Sequence, residues 1–148
     1  MIKKIVTLIL VTISLNSMAF ECFGPDKYEW SIKKNFDLAE SVFFAQVISG
    51  SAIPGDSQVK FKVIVQLPVK GEIYGEMELT TGKSHMYPSI QLFGNYLVFL
   101  YGDNKIEMCD PMYNVEFEID SIEKLDMLSK RDDIELSKLF TEISTYVK

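Results

Sequence analysis

The chain has 148 residues, with 21 acidic against 15 basic side chains and a formal charge of −6. That length suits one domain with an ordinary core, and an aromatic content of 12% excludes a disordered chain. The acidity removes the positive footprint that binding to nucleic acid or an anionic membrane demands.

The first element is a secretory signal peptide over residues 1–19. Lys3 and Lys4 make a positive start, and residues 5–15, IVTLILVTISL, form an uncharged apolar run of h-region length. Ser17 and Ala19 then place small residues three and one positions before a cut after Ala19. A spanning helix would need roughly 20 apolar residues, and Asn16 and Glu21 end this run too early. A lipoprotein would carry its Cys directly after the small residue, whereas Phe20 and Glu21 precede Cys22. Cleavage leaves a single domain over residues 20–148 with no stable membrane insertion. It also removes two lysines, so 13 basic residues face 21 acidic ones and the charge becomes −8.

Residues 23–38 carry Gly24-Pro25 and mixed charge, as for a loop followed by a short helical turn. Residues 41–48, SVFFAQVI, are β-branched and aromatic, and end at turn chemistry in Ile53-Pro54-Gly55-Asp56. Residues 58–66 alternate, with Val59, Phe61, Val63 and Val65 on one face and Lys60, Lys62 and Ile64 on the other. Leu67 and Val69 lead out of this strand to a turn at Lys70-Gly71. Residues 76–81 alternate again and stop at Gly82. Residues 96–101, YLVFLY, are continuously apolar, the pattern of a strand buried on both faces. Gly102-Asp103-Asn104 then turns into a fifth strand over residues 105–109. Five strands without helices between most of them predict an antiparallel sheet or barrel. In the tail, Asp120-Ser121-Ile122-Glu123 offers a helix N-cap with a carboxylate three positions on, and Asp132-Asp133-Ile134-Glu135 repeats the device. Leu136, Leu139, Phe140, Ile143 and Val147 fall at helical spacing, which predicts a C-terminal helix over about residues 133–147 that packs on the barrel.

Cys22 and Cys109 are the only cysteines. In an exported protein an even, minimal count reads as one disulfide. Closing a loop of that length constrains the unfolded chain by roughly 4–5 kcal/mol on the entropic model. The competing use is a metal pair, which would want further ligands close by, and His85 is the sole histidine.

In order, the motifs are an early Cys22, then Ala39-Glu40-Ser41-Val42-Phe43-Phe44-Ala45-Gln46-Val47, Phe61-Lys62-Val63 and Val69-Lys70-Gly71. Leu79-Thr80-Thr81-Gly82, Phe93-Gly94-Asn95-Tyr96-Leu97-Val98-Phe99 and a late Cys109 complete the series. From Cys22 to about Leu128 this resembles the bacterial branch of the tissue-inhibitor-of-metalloproteinase (TIMP) and netrin-like superfamily. The resemblance implies a mainly β, OB-like, five-stranded Greek-key barrel with C-terminal helices, and a single Cys22–Cys109 bridge. Several positions depart from the family pattern. Glu40 stands where Asp is usual, Ala45 where Gly is frequent, and Leu67-Pro68 where Trp is common, and two further cysteines are missing. Inhibitors of this superfamily chelate a proteinase zinc through an N-terminal Cys. With the cut after Ala19 the first residue is Phe20 and Cys22 is third, so that role does not carry over.

General acid–base chemistry needs titratable groups paired in a cleft. Asp103, Asp120, Glu123, Asp132, Asp133 and Glu135 lie instead in predicted turns and on polar helix faces. No Gly-x-Ser-x-Gly elbow accompanies His85, a blue-copper set would be one histidine short, and no Gly-rich loop precedes a helix. No catalytic residue, cofactor or metal ligand is assigned. Tyr96, Phe99 and Tyr101 could stack on bases, but the negative charge opposes it and they read as core. The contact surface expected for a protein partner is the loop over residues 83–92, with His85, Met86, Tyr87 and Ile90; Met and aromatics are enriched at interfaces. The same residues could instead fold over the barrel mouth. The chain is therefore expected to be an extracytoplasmic (periplasmic or secreted), non-enzymatic module that binds a protein. The alternatives are an exported hydrolase whose carboxylates converge only in the fold, and a metalloproteinase inhibitor in the strict sense, which would require Cys22 as the first mature residue.

Overall fold

A computed structural model describes residues 32–52, 54–55, 57–82, 90–107, 110–133 and 136–147. The signal peptide, Cys22, His85, Met86, Tyr87 and Cys109 lie outside the described residues. The elements in chain order are α1 (Ile32–Leu38), β1 (Ser41–Ala52), β2 (Gln58–Lys70), β3 (Gly75–Gly82), β4 (Asn95–Leu100), β5 (Lys105–Ile106), β6 (Met112–Val115), α2 (Ile122–Ser129) and α3 (Ser137–Ser144).

The protein is mainly β, with one sheet in the order β5-β3-β2-β1-β4-β6. The sequence predicts five strands and the described residues hold six; β6 is the additional one. All pairings are antiparallel except β3 with β5, which is parallel. Phe43, Phe61, Leu79, Val98 and Ile106, one from each of β1 to β5, meet in one buried cluster with the half-buried Met112 of β6 against it. Side chains from opposite edges of a six-stranded sheet meet like this only if the sheet curls, and the result is a half-barrel.

Bulges produce that curl. β1 and β2 slip register at three places: between Val42 and Phe43, between Phe44 and Ala45, and between Val47 and Ser49. Each bulge adds an unpaired residue, bends the strand and increases its twist. Near the middle of β2, Phe44 pairs with Leu67 while Ala45 pairs with Val65, which leaves Gln66 extra. Phe61, Val63 and Val65 therefore face the interior, whereas Leu67 and Val69, of the same parity, join the opposite face. β2 runs through Pro68 to Lys70 rather than leaving at Leu67; a proline that cannot donate to the ladder is tolerated at a bulge.

The outer face of β1, β4 and β6 is covered by helices. Val42, Phe44, Leu97, Phe99 and Val115 pack with Leu125 and Leu128 of α2 and with Leu139, Phe140 and Ile143 of α3. β4 is consequently buried on both sides from Tyr96 to Leu100, as its unbroken apolar run predicts. The Ser121 hydroxyl accepts from the Lys124 amide at 3.3 Å and caps α2, one residue after the Asp120 that the Asp120–Glu123 spacing points to. α3 is shorter than expected and begins after Leu136 without a side-chain cap. Asp133 is engaged by Arg131 instead, at 3.0 and 2.6 Å. The apolar stripe of α3 packs on the sheet, with Phe140 edge-on to Phe44 at 6.4 Å between ring centres.

Candidate functional site

Two places on the described surface combine exposure with unusual local chemistry. The first is the turn that enters β4. The amide of Gly94 donates to the Gln91 carbonyl at 3.1 Å, which closes a reverse turn with Leu92 and Phe93 at its tip. Phe93 has φ of 62°, the one positive value outside glycine among the described residues. For a bulky aromatic this conformation is a genuine outlier, and it costs about 1 kcal/mol or more.

The position of the glycine explains the strain in part. A Cβ at Gly94 would lie 2.8 Å from Cε2 and 3.0 Å from the hydroxyl oxygen of Tyr96. The small residue is needed at 94 so that the Tyr96 ring can pass beneath the turn. The left-handed conformation therefore falls on the residue before it. The turn is held firmly: the Phe93 amide donates to the Val47 carbonyl at 2.8 Å, and the Val47 amide donates to the Gly94 carbonyl at 3.0 Å. From below, the Tyr96 hydroxyl accepts from the Gln91 amide at 2.7 Å. On this fixed base Leu92 is 56% exposed and Phe93 is 65% exposed.

This tip adjoins the loop over residues 83–92 singled out from the sequence, of which Leu92 is the last residue. Of the four expected contacts only Ile90 is described, and it is half-buried against the interior cluster, closer to a cover over the barrel mouth than to a free contact. The exposed pair is Leu92 and Phe93. Phe93 was read only as part of the motif leading into β4. A Phe-Gly pair just before a strand was the available signal, since the turn's glycine stands one position too late to relieve it.

The second place is an open cleft of about 450 Å³ lined by Tyr101, Gly102, Asp103, Lys105, Glu107 and Asp110. Two hydrogen bonds between Glu107 and Asp110 help to shape it. The Asp110 carboxylate accepts from the Glu107 amide at 2.7 Å, and the Asp110 amide donates back to the Glu107 carbonyl at 3.2 Å. The Glu107 carboxylate is exposed and paired with Lys105 at 2.5 Å. Burial pushes the Asp110 carboxyl upward; the Glu107 amide pulls it back, and the Glu107 charge adds to the rise. Burial, then the nearby Asp110 charge, pushes the Tyr101 phenol upward as well. The cleft therefore holds three carboxylates: the half-buried Asp110 with its raised pKa, the exposed Glu107 paired with Lys105, and the exposed Asp103.

Among the described residues, no three His, Cys, Asp or Glu side chains converge closely enough to hold a metal ion. Among the same residues, no helix is long and apolar enough to cross a membrane. No protein-family model matches the chain, and a comparison with curated proteins likewise finds no match.

Proposed function

We propose that this chain is an exported, non-enzymatic binding module of OB/netrin-like architecture that engages a protein partner through the Leu92–Phe93 tip. The observation that carries the reading is Phe93, an exposed aromatic held at a positive φ on a base of backbone hydrogen bonds. Strain of this kind persists only where the surroundings over-determine it, and it clusters at ligand clamps. A rigid exposed aromatic loses little entropy on docking and makes an efficient interface anchor. The OB-like reading draws support from the pairing of β1 with both β2 and β4 and from the parallel contact of β3 with β5. The short β5 and the added β6 depart from a plain five-stranded barrel.

The test uses a photoreactive amino acid at position 92, with the exposed Lys62 position as control, in cells that make the full chain. A recurrent protein adduct at 92, absent at 62 and lost on Phe93→Asn, is expected. Identical adduct patterns at both positions would remove the tip from the interface. Asparagine tolerates the left-handed region, so Phe93→Asn should also raise the unfolding free energy by about 1 kcal/mol. A variant that gains stability while losing binding separates function from folding.

A second reading, an exported hydrolase at the Tyr101–Asp110 cleft, is favoured by the raised Asp110 carboxyl, which suits a general acid. It predicts hydrolytic turnover that is abolished by Asp110→Asn and untouched by Phe93→Asn.

A further inference from the structure

Helix α1 has seven residues, none of them fully buried. A helix so short is not stable by itself. Ile32 and Phe36 pack against the outer-face core, and four side chains from distant elements hold the rest of it. At its N-terminal end the Glu142 carboxylate of α3 accepts from the Lys33 amide at 3.0 Å. At its C-terminal end the Lys70 ammonium of β2 donates to the carbonyls of Phe36 (2.7 Å), Asp37 (3.2 Å) and Ala39 (2.6 Å). An anion at the positive end and a cation at the negative end complement the helix dipole and satisfy groups that every helix leaves open. Between these clamps Phe36 stacks on Tyr146 at 4.3 Å, and the Tyr101 hydroxyl donates to Asn35 Oδ1 at 3.1 Å. Lys70 also lies 5.2 Å above the Phe36 ring.

The docked state carries a penalty. Among the described residues the buried Asn35 side-chain nitrogen has no hydrogen-bond partner, and an unmet buried donor costs free energy that water would return. Undocking therefore loses the clamps but regains a hydrated amide, which narrows the gap between the two states. The hinge is defined too. Ala39 is buried, and the Glu40 amide donates to the Leu100 carbonyl at 2.8 Å, so the chain is anchored from residue 39 onward.

We propose that α1 is a displaceable strap, clamped at its two ends by Glu142 and Lys70, whose release bares Tyr101 and Tyr146 while the half-barrel stays folded. Tyr101 connects the strap to the cleft, because it lines that cleft and donates to Asn35. Release of the strap removes the phenol's acceptor and so frees Tyr101, a residue of the cleft wall.

The experiment is hydrogen exchange followed by mass spectrometry on the full chain at low, sub-denaturing urea. The amides of residues 36–39 should exchange through a local opening that is insensitive to urea, whereas those of β4 should follow global unfolding. Lys70→Met keeps the aliphatic stem and removes the charge; it should speed exchange in α1 by about tenfold or more, the size expected for hydrogen bonds to a charged donor. Glu142→Ala provides a second variant, with a smaller acceleration confined to the same amides. The proposal is overturned if the α1 amides share the urea dependence of β4, or if both variants accelerate α1 and β4 equally.

Discussion

The two faces of the central strands are sealed by different means. The inner face closes by curvature: bulges in β1 and β2 fold the sheet until Phe43, Phe61, Leu79 and Val98 meet. The outer face closes by recruitment, with α2 and α3 brought from the C-terminal end to cover Val42, Phe44, Leu97 and Phe99. Curvature involves every strand at once, so a defect on the inner face is felt across the sheet. Recruitment is modular, and a defect there can free the helices before the strands.

The largest expected effect comes from deleting Gln66. This residue is the extra one that sends Leu67 and Val69 to the helix face, and its side chain bridges Asn95 at 2.9 Å and the Ile119 amide at 3.4 Å. Removing it slips the register by one and turns Leu67 and Val69 away from the helices. The variant should fail to give a cooperative unfolding transition by circular dichroism, whereas Gln66→Ala, which keeps the residue count, should fold with a loss of about 1–2 kcal/mol.

Next in size is a matched pair of truncations. Phe61→Ala on the inner face and Phe140→Ala on the outer face remove fully buried rings, each costing about 3–5 kcal/mol. Hydrogen exchange should separate them. Phe61→Ala lowers protection throughout the sheet, and Phe140→Ala lowers it in α2 and α3 while β2 and β3 remain protected. Equal loss everywhere in both variants would erase the distinction between the faces.

A gain is expected on the inner face at Thr81. It is 4% exposed, and its buried hydroxyl oxygen has no partner among the described residues. Thr81→Val keeps the shape and β-branching and removes the unmet group, so urea denaturation should show about 1 kcal/mol of added stability.

The smallest effect concerns Asp110, whose raised pKa makes its ionised form a burden on the fold. A carboxyl raised in the folded state contributes stability below its unfolded pKa and loses it as pH rises through the folded value. Asp110→Asn can keep the hydrogen bond from the Glu107 amide and removes the charge. Its Tm should therefore exceed that of the parent at pH 7, and the difference should vanish as pH falls below the ordinary carboxylate range.

Much of the strand content is legible in the residues because burial imposes clear patterns. The unbroken run at 96–100 corresponds to β4 covered on both faces, and the alternation at 59–65 matches one face of β2. The pattern fails where geometry replaces periodicity. Pro68 looks like the end of a strand, yet the bulge carries β2 past it to Lys70. β6, Met-Tyr-Asn-Val, is too short and mixed to register as a strand, and it exists by pairing with β4. The parallel contact of β3 with β5 spans two residues on each strand and follows from the curl rather than from local preference. At the C-terminal end, Asp132-Asp133 has capping composition, but Arg131 takes the carboxylate and the helix starts later. The exposed Leu92–Phe93 turn adjoins the loop that the sequence singles out, but the positive φ of Phe93 is a backbone property that composition and periodicity do not carry.

The double pairing of β1 has a consequence for how the chain reaches its native state. β1 and β2 form a hairpin from neighbouring segments, whereas the other edge of β1 is met by β4, with Val42 opposite Phe99 and Ala45 opposite Tyr96. More than fifty residues separate those partners. Loop-closure entropy for such distant pairing must be met before the contact returns anything, which slows folding. Until β4 arrives, the nascent hairpin presents Val42-Phe43-Phe44-Ala45 along an unpaired edge, the kind of edge that templates association between chains. Refolding yield should therefore fall with protein concentration, and a holding chaperone that masks this one segment should restore it.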